Sequence, residues 1–147
     1  MTGSKKVHLA LNVTDVNRSV EFYRAVFGLA PVKWKPRYAK FDIPEPPLNL
    51  TLNQHKKIDG PGALNHLGME VSSTAEVLAA RERLRAAGLA TADEMNVDCC
   101  YALQDKIWIT DPDGYRWEIF TVKVNDTQPE LTADQVQDSP GNACCQS

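Results

Sequence analysis

The sequence predicts an α+β fold built from two βαβββ modules in one domain, and three observations favour it. A strand-like segment that carries a histidine occurs twice, at residues 7–13 and 65–71. An amphipathic helical segment follows each copy and ends at a glycine, a residue that readily takes the left-handed conformation beyond a helix. Three further strand-like segments then follow each helix. An internal repeat of this kind indicates two copies of one supersecondary unit.

The first strand of each module alternates between aliphatic and polar or small residues, which is the period of a half-buried strand. In residues 7–13 the odd positions are aliphatic, so His8 falls on the opposite face. In residues 65–71 the aliphatic row again excludes the histidine, His66. We therefore expect the two histidines at equivalent places, on the faces turned away from the helices.

Both helices are predicted to pack one apolar face against a sheet. The first runs from about Asp15 to Gly28, and its stripe at helical spacing is Val16, Val20, Tyr23 and Phe27. The second ends at Gly88 and begins near Ser73, which precedes Glu76 by three residues and so matches a capping box. Its stripe is Val77, Ala80, Leu84 and Ala87.

The remaining strands are predicted at residues 32–35, 38–43 and 48–53 of the first module and at 91–96, 101–110 and 115–122 of the second. Asp111-Pro112-Asp113-Gly114 has proline and glycine where a type I turn favours them. From residue 125 the composition is polar and aperiodic, which predicts a disordered tail. The expected organisation is one domain at 1–124, with modules at about 6–53 and 62–123, and a tail at 125–147.

The composition is that of an ordinary globular domain and limits the expected partners. The chain has 147 residues, of which 43% are hydrophobic and 24% charged, and a formal net charge of −3. Since there is no dense basic stripe, neither nucleic acid nor an anionic membrane is an expected partner. No apolar run approaches the ~18–20 residues of a membrane span, and no signal peptide is recognisable. We expect a cytoplasmic monomer or homodimer that acts on a small molecule.

Two adjacent cysteines, Cys99 and Cys100, are the most unusual chemical feature of the chain. Neighbouring Cα atoms are ~3.8 Å apart, closer than the roughly 4.4–6.8 Å of an unstrained disulfide. As free thiolates, the two could together bind one soft metal or metalloid atom. Alternatively, one is a small buried hydrophobe and the other is incidental. A second pair, Cys144 and Cys145, lies in the predicted tail and could bridge to the first pair, hand over or scavenge the same soft atom, or have no role.

His8, His66 and Glu118 form a candidate metal site. The histidines occupy matched places in the two modules, and Glu118 lies among large hydrophobic residues, where a charge is costly unless it is paired. Two imidazoles and one carboxylate on one side of an ion leave positions open for substrate and dioxygen, as in non-haem Fe(II) oxygenases. Thr51, the first-module counterpart of Glu118, is a weak ligand, so we expect three protein ligands and an open site.

Each of these residues also has a simpler interpretation. A single strand histidine is most often hydrogen-bonded or at the surface, and Glu118 could pair with Arg116 or with a surface lysine. The third histidine, His55, is followed by two lysines in a turn-like stretch, so we expect it to be exposed.

Taken together, the doubled βαβββ plan, the paired histidines, the turn at residues 111–114 and Glu118 resemble the vicinal oxygen chelate superfamily. That superfamily includes glyoxalase I, extradiol dioxygenases, fosfomycin-resistance proteins and bleomycin-binding proteins. Within it, the segment DCCYALQDKIWITDPDG at residues 98–114 resembles the C–As lyases, Fe(II)- and dioxygen-dependent enzymes of organoarsenical detoxification. Supporting stretches lie at residues 11–13, 22–23, 38–41 and 48–53, and the likeness covers roughly residues 6–123.

The resemblance implies a half-open, barrel-like sheet with the helices outside. It implies Fe(II) held by His8, His66 and Glu118, dioxygen as co-substrate, and arsenic bound by Cys99 and Cys100, with no catalytic residue beyond the metal ligands. The implied substrates are methylarsonous acid and trivalent aromatic arsenicals, and the methyl compound would yield inorganic arsenite. Two alternatives remain open: another metalloenzyme of the same fold, such as a glyoxalase or an antibiotic-resistance thiol transferase, and a protein that sequesters arsenic or cadmium without catalysis.

Overall fold

The computed structural model describes residues 5–98 and 102–124 with their side chains, and the backbone of Cys99. The elements follow the order β-α-β-β-β twice. The first set is β1 (Val7–Val13), α1 (Val16–Phe27), β2 (Lys33–Lys35), β3 (Tyr38–Ile43) and β4 (Leu48–Gln54). The second set is β5 (Leu67–Glu70), α2 (Thr74–Ala86), β6 (Ala92–Cys99), β7 (Ala102–Thr110) and β8 (Arg116–Val124).

Each set of strands forms a four-stranded mixed sheet, in the order β1-β4-β3-β2 and β5-β8-β7-β6. The first strand of each set pairs in parallel with the last, whereas β2–β3, β3–β4 and β6–β7 pair antiparallel. The predicted α+β class and its two βαβββ modules are therefore confirmed. The registers also align the repeats, because Ala10 lies opposite Thr51 as Gly68 lies opposite Glu118. Thr51 is thus the counterpart of Glu118, as the sequence predicts.

Helix α1 begins and ends where its capping residues predict. The Asp15 side chain accepts a hydrogen bond from the Arg18 amide at 3.1 Å, and Gly28 has a φ of 67° in the left-handed region. The face formed by Val16, Val20 and Tyr23 is buried against the first sheet, while the exposed face carries Arg18. The predicted stripe is therefore confirmed over its first three positions.

Fewer residues are buried in helix α2 than in α1. Ser73 caps the Glu76 amide at 3.2 Å, but the Glu76 carboxylate accepts from the Ser72 amide at 2.6 Å, one residue earlier than a capping box would place it. Val77 and Leu84 are buried, whereas Ala87 is exposed. The prediction was wrong for Ala87 because the helix ends at Ala86. Neither helix in the described part of the chain has the length and apolarity needed to cross a membrane.

The chain divides into two compact units, and the turn between β7 and β8 belongs to the first. That unit contains residues 5–62 and 110–115, and the second contains the other described residues. Asp111 accepts hydrogen bonds from the Tyr23 hydroxyl at 2.6 Å and from the Tyr115 amide at 2.9 Å, and Asp113 accepts from the Thr14 amide at 3.2 Å. Burial raises the pKa of Asp111, although the hydrogen bonds from Tyr23 and Tyr115 act to lower it.

Strand β6 is longer than predicted. The sequence places its end at Asn96, but the strand continues to Cys99, which pairs with Ala102. The register shifts by one residue between Glu94 and Val97, where Asn96 has a φ of 52°. This bulge absorbs one extra residue, so the ladder can resume beyond it. Cys99 is therefore the last residue of a strand.

Candidate metal centre

One face of the second sheet carries a cluster of charged and aromatic side chains. Successive strand residues point to opposite faces, and we name the face that bears Glu118 the polar face. Its charged and aromatic members in β7 and β8, the two longest strands, are Lys106, Trp108, Arg116, Glu118 and Phe120. The opposite rows of the same strands carry buried hydrophobic residues, namely Ile107, Ile109, Trp117 and Ile119.

Glu118 is a buried carboxylate whose two oxygens have different neighbours. Its Oε2 accepts a hydrogen bond from Lys106 Nζ at 2.7 Å, and its Oε1 lies 3.6 Å from His66 Nε2. The Lys106 side chain is only 1% exposed and that of Glu118 10%. A buried charge needs a close partner of opposite sign. The partner here is a buried lysine, and neither Arg116 nor a surface lysine takes that role.

Aromatic rings surround the Lys106 ammonium group. Lys106 Nζ lies 5.5 Å from the centre of the Trp108 ring and 5.7 Å from that of Phe120. The Arg116 guanidinium lies 4.4 Å from the Trp108 ring centre. Cations over aromatic faces are attracted by the ring quadrupole, most strongly where water is excluded. Sequence reasoning gave Lys106 no role, although a lysine beside Ile107 in a hydrophobic strand is a signal for a buried charge.

His66 immediately precedes β5, and each of its ring nitrogens has a neighbour. Nδ1 lies 2.5 Å from the Asn65 side-chain oxygen, so the tautomer that donates from Nδ1 leaves Nε2 with a lone pair. The ring also meets Trp108 edge to face, with centres 5.1 Å apart. Nε2 thus faces a carboxylate oxygen across 3.6 Å, too far for a hydrogen bond.

The separation of these two atoms is close to that of two ligands of one divalent ion. Ligand atoms about 2.1 Å from one ion lie roughly 3.0–3.4 Å from each other when adjacent, close to the 3.6 Å between His66 Nε2 and Glu118 Oε1. Imidazole nitrogen and carboxylate oxygen are also the donor types that iron and zinc accept. The hydrogen bond from His66 to Asn65 is of the kind that orients metal-binding histidines in other proteins.

The structure brings together two of the three predicted metal ligands, His66 and Glu118. His8 lies on β1 in the first compact unit, is exposed, and pairs with Asn49. Within residues 5–98 and 102–124, no three His, Cys, Asp or Glu side chains form a group that could hold a metal ion. The role of His8 therefore stays a prediction. His55 is exposed, as predicted.

The backbone of Cys99 lies at the end of β6, the strand farthest from β5 in the same sheet. The Cys99 backbone closes β6 opposite Ala102. Cys100 and the tail pair, Cys144 and Cys145, lie outside the described residues, as does the tail predicted at 125–147. Arsenic binding by Cys99 and Cys100 stays a prediction.

Gly68 leaves the space that Glu118 occupies. The two residues are paired in the register of β5 and β8, and a Cβ at position 68 would lie 2.9 Å from Glu118 Cγ and 3.3 Å from its Oε1. Gly68→Ala should therefore displace the carboxylate and weaken binding of Fe(II) or Zn(II) by about 10–100-fold, the usual cost of disturbing a ligand's orientation. Calorimetric titration of the metal-free protein measures this change. An unchanged affinity would show that this carboxylate does not bind the metal.

Comparisons with known proteins agree with the observed fold. The model of the glyoxalase/bleomycin resistance protein/dioxygenase superfamily matches residues 5–119. A trivalent organoarsenical cleaving enzyme of Bacillus sp. (strain MD1) is 46% identical over 146 residues, covering 96% of this chain and 90% of that protein. One from Thermomonospora curvata is 44% identical over 144 residues, covering 95% and 87%. A cadmium-induced protein of Mycobacterium bovis is 48% identical over 117 residues, covering 80% and 76%.

Solved structures show the same fold at lower identity. A glyoxalase/bleomycin resistance protein/dioxygenase from Nocardioides has a TM-score of 0.65 at 23% identity and covers 90% of this chain and 92% of its own. The fosfomycin resistance protein from Mesorhizobium loti has a TM-score of 0.58 at 19% identity, covering 82% and 92%. The repeated βαβββ unit, the family match and the similar relatives agree, and the chain belongs to the glyoxalase/bleomycin resistance protein/dioxygenase superfamily, the vicinal oxygen chelate proteins.

Proposed function

We propose that this protein cleaves the carbon–arsenic bond of trivalent organoarsenicals, using Fe(II) and dioxygen. The observation that carries the proposal is that the backbone of Cys99, the first of the two adjacent cysteines in the sequence, ends a strand of the sheet that holds the His66–Glu118 pair. Relatives named trivalent organoarsenical cleaving enzymes, 44–46% identical along nearly the whole chain, support the same activity.

The two thiols would bind the substrate before cleavage. Cys99 and Cys100 each replace one hydroxyl group of methylarsonous acid, so two As–S bonds form, two As–O bonds break and two water molecules leave. Arsenic keeps its methyl group as the third substituent. Trivalent arsenic is a soft acceptor that prefers thiolate. Because the second sulfur reacts intramolecularly, its effective concentration is high and the pair binds far more tightly than one cysteine.

The proposed iron ligands are His8, His66 and Glu118. Ferrous iron, when bound, supplies the activation of dioxygen that protein side chains cannot provide. Lys106 holds one oxygen of Glu118, so the carboxylate presents its other oxygen, the one nearest His66. Trp108 and Phe120 flank the lysine and exclude water from that side. For the methyl substrate the atoms balance when one dioxygen yields one arsenite and one formaldehyde.

Oxygen dependence tests this function. The protein is loaded with Fe(II) under anaerobic conditions, mixed with methylarsonous acid and then exposed to air. We expect arsenite and formaldehyde in equal amounts after air enters, and neither before. A second sample loaded with Zn(II) controls for release by the thiols alone. Arsenite formed with oxygen rigorously absent would contradict the oxidative reaction.

A second candidate is thiol-based sequestration of a soft metal or metalloid without catalysis, since some relatives of 48% identity are named cadmium-induced proteins. The Glu118→Ala variant separates the two. Sequestration predicts that it binds one arsenical per chain as the wild type does and that neither protein yields product. Cleavage predicts product from the wild type alone.

Methylglyoxal–glutathione and fosfomycin test the other metalloenzyme activities of this fold, and we expect no turnover of either.

The two thiols also indicate the cellular compartment, and their position in the sequence indicates the part of the chain that carries the activity. Two free adjacent cysteines need a reducing compartment, so we place the activity in the cytoplasm. We assign it to the domain at residues 1–124, and the tail cysteines have no part in it.

A further inference from the structure

The bulge in β6 changes which residues of that strand lie on the polar face. Before it, Glu94 pairs with Lys106, and the Glu94 carboxylate accepts a hydrogen bond from Trp108 Nε1 at 3.2 Å. After it, Val97 pairs with Gln104 and packs against Trp108. Even-numbered positions of β6 thus lie in the polar-face row before the bulge, and odd-numbered positions after it.

The phase of this alternation decides the row of position 99. Cys99 pairs with Ala102, which shares the even row of β7 with Lys106. In an uninterrupted ladder, residues 96 and 98 would take the polar-face row, and position 99 would fall in the opposite row with Asp105. A shift of one residue moves every following position of a strand to the other face.

Side chains from three elements hold the bulge. Asp105 lies opposite the extra residue, and its carboxylate accepts hydrogen bonds from the Asn96 amide at 2.7 Å and from the Thr74 hydroxyl at the start of α2. Lys123 of β8 binds the Asn96 side-chain oxygen and lies 3.4 Å from Asp105. Burial acts to raise the pKa of Asp105, but the hydrogen bonds from Thr74 and Asn96 and the charge of Lys123 outweigh it and lower the pKa.

We propose that the bulge at Met95 and Asn96, held by Asp105, places position 99 in the same row as Lys106 and so sets the face on which the arsenical is bound. Asp105 and Asn96 are then positioning residues for the cleavage reaction. This inference rests on the proposed function, because a soft-metal buffer would not need a particular face.

The test removes the bulge in two ways with opposite expected results. In the Asn96→Val/Asp105→Val variant, a β-branched residue replaces one in the left-handed region and the anchoring carboxylate is lost. This change favours the uninterrupted ladder. We expect cleavage to fall about 100-fold, as for a displaced reacting group, while capture of one arsenical per dithiol persists.

Deletion of Asn96 in the Asp105→Val background should restore cleavage to within about 5-fold of wild type. The deletion removes the extra residue itself, so Val97 again lies opposite Gln104 and Cys99 opposite Ala102 without a bulge. A merely stabilising role for Asp105 predicts the reverse, since the deletion would add a second defect. If the double-valine variant does not fold, the deletion variant decides alone: restored cleavage supports the inference, and failure to cleave overturns it.

Engineered disulfides report the register without iron or substrate. With all four native cysteines changed to serine, Val97→Cys/Gln104→Cys should oxidise readily in the native register, and Val97→Cys/Leu103→Cys only in the shifted one, since a disulfide requires facing residues. We expect the first pair to form with the native bulge and in the deletion variant, and the second pair in the double-valine variant. Cross-linking of the first pair in the double-valine variant would overturn the inference. If the first pair cross-links with the native bulge but the wild-type protein never cleaves the arsenical, the proposed function is refuted instead.

Discussion

Replacing Lys106 with methionine should lower the free energy of unfolding of the metal-free protein by about 3–5 kcal/mol, the usual cost of leaving one member of a buried ion pair alone. The substitution keeps most of the side-chain volume against Trp108 and Phe120, so the loss reports the uncompensated Glu118 carboxylate. Denaturant titration followed by circular dichroism measures it. Added Fe(II) or Zn(II) should recover part of the loss, because an ion bound to Glu118 supplies the missing positive charge.

Two control variants separate charge from packing. Lys106→Met/Glu118→Gln should regain most of the stability, since no buried charge is left unpaired. Arg116→Met also removes a cation from the Trp108 ring but leaves no carboxylate alone, and should cost no more than about 1 kcal/mol. A loss below about 1 kcal/mol for Lys106→Met would mean that Glu118 does not depend on the lysine.

Changing Cys99 to serine should slow arsenite release from methylarsonous acid by about 10²–10⁴-fold, the range expected when a two-point attachment becomes a one-point attachment. The same loss is expected for Cys100→Ser, because each thiol supplies one of the two As–S bonds. Chromatography coupled to arsenic detection measures the product at subsaturating substrate.

The tail supplies a matched control for these thiol variants. Cys144→Ser/Cys145→Ser removes an identical adjacent pair, and we expect cleavage at the wild-type rate. Unimpaired cleavage by Cys99→Ser or Cys100→Ser would show that the vicinal pair does not bind the substrate during catalysis. An equal loss from the tail variant would assign arsenic binding to both pairs.

The elements that the sequence predicted well are those set by local chemistry. Asp15 and Gly28 bound α1 because a carboxylate and a left-handed glycine act within one helical turn. The repeat also related Thr51 to Glu118, since the spacing of strand residues is the same in both modules.

Features that depend on neighbouring strands could not be predicted in the same way. Lys106 and Glu118 are 12 residues apart and meet only because β7 and β8 are neighbours in the sheet. The bulge at Asn96 is equally hidden, because its carboxylate anchor lies on β7 and its lysine on β8. For this reason the prediction from the sequence ended β6 at Asn96 and placed Cys99 beyond the strand.

The turn at residues 110–115 has a consequence for dissecting the molecule into fragments. A segment that follows β7 in the chain is built into the unit that contains α1. A polypeptide starting at residue 63 would therefore carry Asp111 without the Tyr23 hydroxyl and Asp113 without the Thr14 amide. Although the chain contains one motif twice, its two compact units do not coincide with its two halves, and a cut at residue 62 would separate these hydrogen-bonded groups.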